Sequence, residues 1–129
     1  MALETIIALD AMGGDNAPAM VVRGADIAVE RVPDLIFKLV GDEKHLEPLI
    51  VKSKYLNSSN CSVIHTDKKV EDSEKPSVAL RSGKDSSMRL AIDLVANEEA
   101  HGVVSAGNTG ALMVMSKLGL RMCPGIDRP

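Results

Sequence analysis

Hydrophobic positions along the chain fall into short unbroken runs that alternate with stretches repeating every three or four residues. Ile6–Leu9, ending at Asp10, is continuously apolar and predicts a strand buried on both faces. Val21, Val22, Ala25, Ala28, Val29 and Val32 then recur at helical spacing, and Pro33 closes that helix. Leu35–Val40 predicts a second strand, broken by Gly41-Asp42, and a second helix falls between Glu43 and Lys54 with Pro48 disturbing its start. Asn57–Asn60 is a polar turn and Cys61–His65 a short third strand. Thr66–Lys75 is charged and aperiodic, hence a surface loop, followed by a brief helical turn at Ser77–Arg81 after Pro76. Asp85, Ser86 and Ser87 offer caps for a helix whose Met88, Ala91, Ile92 and Val95 share one face. Gly102–Ser105 makes a fourth strand. A helix at Thr109–Leu118 is apolar nearly all round, which predicts deep burial or a partner, and Cys123–Pro129 is a turn.

Strands alternating with helices predict an α/β fold with a doubly wound, mainly parallel, Rossmann-like sheet. Right-handed crossovers favour the strand order 3-2-1-4, which makes the first and fourth strands neighbours where the order reverses. Each of these two strands runs into glycines and then a helix: IIALDAMGGDNAP (6–18) and GVVSAGNTGALM (102–113). Such a turn leaves backbone N–H groups at the positive end of a helix, a setting that suits an anion. In the first turn Asp15 and Asn16 can cap the helix, with Pro18 in its first turn. Both loops should share one crevice at the carboxyl edge of the sheet, where ligands of such folds bind.

Composition narrows the ligand. Aromatics are only 2% of the 129 residues and the net charge is −3, so neither base-stacking platforms nor a global field favours nucleic acid. Cys61 and Cys123 form no metal or disulfide pattern, and no metal site or cofactor is expected. MALETIIALD lacks a basic leader, and no run is long enough to span a bilayer, so a cytoplasmic protein is expected. His45, His65 and His101 share no motif and are read as structural.

Five stretches resemble, in order, the phosphate acyltransferase family of bacterial phospholipid synthesis. They are IALDAMGGDNAP (7–18), LVGDE (39–43), KPSVALRSGKDSSMRLAIDLV (75–95), VVSAGNTGALM (103–113) and PGIDRP (124–129). The resemblance implies transfer of a fatty acyl group from acyl carrier protein to inorganic phosphate. The acyl phosphate would pass to a membrane-bound acyltransferase that acylates glycerol 3-phosphate. It also implies a homodimer, loose attachment to the inner face of the membrane, and a fold similar to phosphotransacetylases and isocitrate dehydrogenase-type enzymes. Family members continue well beyond PGIDRP. Residues 1–129 are therefore expected to be the N-terminal part of one truncated α/β acyltransferase domain, inactive alone and exposing an apolar edge.

Acyl transfer to phosphate needs an aligned nucleophile and donors for a tetrahedral oxyanion. SAGNTG is the best local cradle: Ser105, Gly107, Asn108, Thr109 and Gly110 offer amides and side-chain donors. Its alternative is a tight turn whose glycines serve only dihedral needs. Gly13 and Gly14 allow close backbone approach and are expected to contact phosphate, whereas Asp15 would repel it. Asp10, Asp15 and Asn108 are the candidate catalytic residues; Asp15 reads equally as a helix cap and Asp10 as a strand-end acceptor. A solvated charged face is the plain reading of Lys75–Arg89, and resemblance to the family's KDSSMR motif shifts Lys84, Ser86, Ser87 and Arg89 towards contact with phosphate or the acidic carrier protein. Two other readings stay open: a dinucleotide-dependent dehydrogenase, which AMGGDN fits poorly for want of GxGxxG, and a non-catalytic anion-binding fragment.

Overall fold

The computed structural model of the chain describes residues 3–129. Met1 and Ala2, the first positions of the stretch read above as lacking a leader, lie outside the described residues. Four parallel strands form one sheet in the order expected: β1 (Thr5–Asp10), β2 (Leu35–Gly41), β3 (Cys61–His65) and β4 (Gly102–Val104) stand as β3-β2-β1-β4. In register, Leu9 of β1 lies between Leu39 of β2 and Val104 of β4.

Period-two alternation sends successive strand residues to opposite faces, and each face has its own helices. Leu9, Phe37 and Leu39 pack under α1 (Ala19–Arg31) and α2 (Glu43–Val51) through Val22, Ala25, Val29 and Leu46. Ala8 and Val40 face the other way, against Ala91 and Leu94 of α4 (Ser87–Ala96). A further cluster joins α4 to α3 (Pro76–Ser82) and α5 (Thr109–Leu120) through Ala79, Met88, Ile92, Ala111 and Met115. The sheet is thus doubly wound, as its alternating elements predict.

Local expectations are met unevenly. Asp42 caps α2, its side chain accepting from the Lys44 amide at 3.0 Å, and the helix runs through Pro48 without breaking. Ser86 caps α4 by accepting from the Arg89 amide at 3.2 Å. Asp15 and Asn16, however, do not cap α1: the helix starts at Ala19 behind Pro18, and no side chain accepts from its first amides. Asp15 lies exposed in the loop. The charged stretch 66–75 is not wholly a surface loop either. Thr66 and Val70 are buried, Val70 in the α3–α4–α5 cluster, while the Thr66 hydroxyl donates to the Asp85 carbonyl at 2.8 Å. One apolar residue in a charged run carries no period, so periodicity could not find it.

The deep burial expected for α5 is confined to one stripe. Ala111 and Met115 are buried, but Met113, Leu118 and Leu120 are open to solvent. Both histidines next to strands prove structural. The His101 Nδ1 accepts from the Ile6 amide at 2.9 Å while the His101 amide donates to the Ile6 carbonyl at 2.8 Å, fixing the start of the β1–β4 pairing. The His65 Nδ1 accepts from the Glu43 amide at 3.2 Å, at the first turn of α2.

Candidate active site

β1 and β4 end side by side, and the two glycine loops that leave them are in backbone contact. A Cβ built on Gly13 would stand 2.9 Å from the Gly107 amide nitrogen and 3.0 Å from its Cα. Real Cβ atoms barely tolerate such approaches, so close passage of the two loops requires glycine at position 13. Gly14 follows with φ +104°, a conformation that disfavours any side chain, and it faces Ala106 of the other loop.

Asp10 holds the two loops together. Its carboxylate is almost wholly buried at the end of β1. Oδ1 accepts from the Ser87 hydroxyl at 2.6 Å and from the Met12 and Gly13 amides at 3.2 Å each. Oδ2 accepts from the Ser105 hydroxyl at 2.8 Å, and the Ser105 Oγ in turn accepts from the Gly107 amide at 3.1 Å. One carboxylate therefore gathers β1, the first loop, the start of α4 and the second loop. A buried acceptor served by this many donors is stable only while all of them stay in place. The anion held by the first loop is the protein's own carboxylate. The Gly13 amide, expected to face phosphate, donates instead to Asp10.

Other predicted residues occupy a range of settings. Ser86 and Ser87 are buried, and their hydroxyls donate inward, Ser86 to the Gly83 carbonyl at 2.6 Å and Ser87 to Asp10. Arg89 directs Nε along α4 to Asp93 at 3.1 Å. Lys84 is exposed in the turn between α3 and α4. Asn108 is the cap of α5: its Oδ1 accepts from the Ala111 amide at 3.1 Å. Its Nδ2 donates to the Glu74 carbonyl at 2.8 Å and the Glu71 carbonyl at 3.1 Å, tethering the 71–74 turn. Gly110 owes its identity to packing, since a Cβ there would lie 2.7 Å from the Pro76 ring. Thr109 and Gly110 form the first turn of α5, where a helix leaves its amides without intrahelical acceptors.

The Ser87–Asp10 bond joins residues 77 positions apart, and nothing in local sequence signals it. Among the described residues no group of three or more His, Cys, Asp or Glu is placed to hold a metal ion, and no helix is long and apolar enough to cross a membrane. Cys61 lies on β3, away from this crevice, and burial pushes its thiol up to about 11, which keeps it unreactive.

This arrangement can be compared with known proteins. The family model described as "Fatty acid synthesis protein" matches residues 5–129. The chain belongs to that family. A relative from Rhodospirillum centenum named "Phosphate acyltransferase" is 59% identical over 123 residues, covering 95% of this chain and 34% of the relative. A relative of the same name from Rhodospirillum rubrum is 52% identical over 129 residues, covering all of this chain and 37% of the relative. One from Vibrio campbellii is 46% identical over 123 residues, covering 95% of this chain and 36% of the relative. The chain thus spans about a third of the length of the curated relatives it matches.

Proposed function

We propose that this chain contributes the phosphate-handling crevice of a phosphate acyltransferase, which moves a fatty acyl group from acyl carrier protein to inorganic phosphate. The observation that carries the reading is the pair of interlocked glycine loops at the carboxyl edge of the sheet, found in a chain whose relatives bear that name. The phosphate lies against the second loop, on the Thr109 and Gly110 amides. A phosphate oxygen attacks the thioester carbonyl carbon. The tetrahedral oxyanion then collapses, the C–S bond breaks, and the carrier's thiolate leaves, taking up through water the proton that the attacking phosphate gives up. A thiolate leaves readily, so neither a strong acid nor a covalent enzyme intermediate is required.

Within this scheme Asp10 and Asn108 are positioning residues, because their polar atoms are committed to the loops. Asp15, exposed beside the first loop, is the free carboxylate for orienting water or accepting a proton. Residues 1–129 act as the first part of a longer acyltransferase domain, one that pairs as a homodimer, works in the cytoplasm and touches the membrane where acyl phosphate is consumed. The dinucleotide reading has no specific support, for the first loop lacks the GxGxxG spacing and its amides already serve Asp10.

Titration of inorganic phosphate into the isotopically labelled chain tests the assignment. Saturable amide shifts are expected at Thr109 and Gly110, with Met12 and Gly13 nearly still. A well-dispersed spectrum that ignores phosphate would remove the cradle from this loop.

A further inference from the structure

Between the end of β3 and the start of α3 the chain passes over the cluster formed by α3, α4 and α5. Val70 is the one apolar residue between Thr66 and Lys75, and it is 6% exposed, in one cluster with Ala79, Met88 and Met115. On the N-terminal side of Val70 the segment is fastened to the start of α4. There the Ser87 amide donates to the Lys68 carbonyl at 2.9 Å, and the Thr66 hydroxyl donates to the Asp85 carbonyl at 2.8 Å. On the C-terminal side it is fastened to the cap of α5, where the Asn108 Nδ2 donates to the Glu71 and Glu74 carbonyls. We infer that residues 66–74 form a strap whose apolar anchor, Val70, sets both glycine loops at once. Val70 is then a positioning residue for the crevice, acting through Ser87 on the first loop and through Asn108 on the second.

Both fastenings lead directly into the loops. Ser87 gives its amide to the strap and its hydroxyl to Asp10, whose Oδ1 also holds the Met12 and Gly13 amides. Asn108 follows Gly107 in the chain, and the Gly107 amide is held by Ser105, itself bonded to Asp10. The strap thus closes a ring that runs from Asp10 through Ser87, Lys68, Val70 and Asn108 to Ser105 and back. Met88 adds a direct contact, since its Cε stands 3.3 Å from a Cβ built on Gly107 and its side chain belongs to the cluster that seats Val70. The other side chains from Asp67 to Glu74 are polar. The Lys68–Asp85 pair at 2.6 Å is more than half exposed on both sides, a setting in which an ion pair contributes little. A segment held by so small an anchor opens locally before the rest of the fold, and opening here releases both ends of the ring together. This placement of the loops holds whatever ligand they meet.

Native-state amide hydrogen exchange tests this, with Val70→Ala set against Val29→Ala. Val29 lies in α1 on the opposite face of the sheet and is also 6% exposed, so the two substitutions remove the same atoms from equally buried sites. Val70→Ala is expected to speed exchange about tenfold or more, by a common factor, at the Ser87, Gly13 and Gly107 amides. Val29→Ala should loosen α1 and leave those three amides at their wild-type rates. Where exchange at the glycines outruns the measurement, their amide chemical shifts report the same displacement. Should Val70→Ala fail to fold, Val70→Thr keeps the shape of the side chain and weakens the anchor through its hydroxyl, with a smaller rise at the same amides. Faster exchange that stops at the strap and Ser87, with either Gly13 or Gly107 unmoved, would overturn the inference. Equal acceleration of the three amides by Val29→Ala would overturn it too, since the loops would then answer to general stability and not to the strap.

Discussion

Ser87 and Asp10, on different helical and strand elements, share a buried 2.6 Å hydrogen bond that closes the α4 side of the sheet onto the end of β1. The same carboxylate serves Ser105 and two loop amides, so its removal strands four donors at once. Leaving buried donors unpaired costs about 1–3 kcal/mol each before relaxation. Asp10→Ala is expected to lose about 3–5 kcal/mol in urea unfolding, and Ser87→Ala about 1–2 kcal/mol. Because the two side chains act through one bond, the double variant should fall short of the sum by about 1 kcal/mol or more. Simple additivity would show that Ser87 and Asp10 are energetically independent.

The approach of Gly13 to Gly107 makes a second, sharper expectation. A methyl on Gly13 would collide with Asp10 Oδ2 at 2.6 Å and with backbone of the other loop. Neither can yield without undoing the network, so Gly13→Ala should cost about 1–3 kcal/mol and shift the Gly107 and Ser105 amide resonances. At Gly107 the nearest obstacles begin at 3.2 Å and include the flexible end of Met88, so Gly107→Ala should be the milder change. Reversal of that order in denaturation midpoints would mean the loops are not held as described.

What could be read in advance, and what could not, follows from the range of the interactions. The unbroken apolar run at 6–9 and the run at 35–40, interrupted only by Lys38, each followed by helical spacing, contain the parallel sheet and its order, because both rest on local periodicity and crossover handedness. The convergence of the glycine loops came with the topology. The function of the first loop did not, since only the fold reveals that Asp10 turns back onto the Met12 and Gly13 amides. Ser86 and Ser87 look like phosphate donors in sequence because capping serines and anion-binding serines are the same residues at the same helix position. Burial alone distinguishes them. The failed cap at Asp15 is a smaller case of the same kind, as the helix begins three residues beyond Asn16.

Asn108 joins two tasks that a pair of substitutions can separate. Asn108→Asp keeps an oxygen to cap the Ala111 amide but replaces the donor facing the Glu71 and Glu74 carbonyls with another acceptor. It should release the 71–74 turn to faster amide hydrogen exchange while α5 stays protected. Asn108→Ala loses both tasks and should cost about 1–2 kcal/mol in addition to the loosened turn. Equal exchange in the turn for wild type and Asn108→Asp would show that the tether carries no weight.

Asp26 supplies the pH-dependent contact between α1 and the turn after α2. Its carboxylate accepts from the Tyr55 amide at 2.7 Å, the Leu56 amide at 3.0 Å and the Lys54 amide at 3.2 Å. Burial acts to raise its pKa, but these amides and the Lys54 charge outweigh that and hold it below the ordinary 3.8. A carboxyl with a lower pKa in the folded chain than in the unfolded one favours folding above the unfolded value, and that contribution disappears as pH falls through the folded value. Asp26→Asn cannot carry the charge. Wild type should therefore exceed it in stability by a constant margin from about pH 5 to pH 8, and the two should converge as pH drops below about 4. Paired urea titrations across that range measure the margin directly. A gap that persists undiminished in acid would assign the stabilisation to the shape of the contact, leaving the charge on Asp26 without a part in holding the turn.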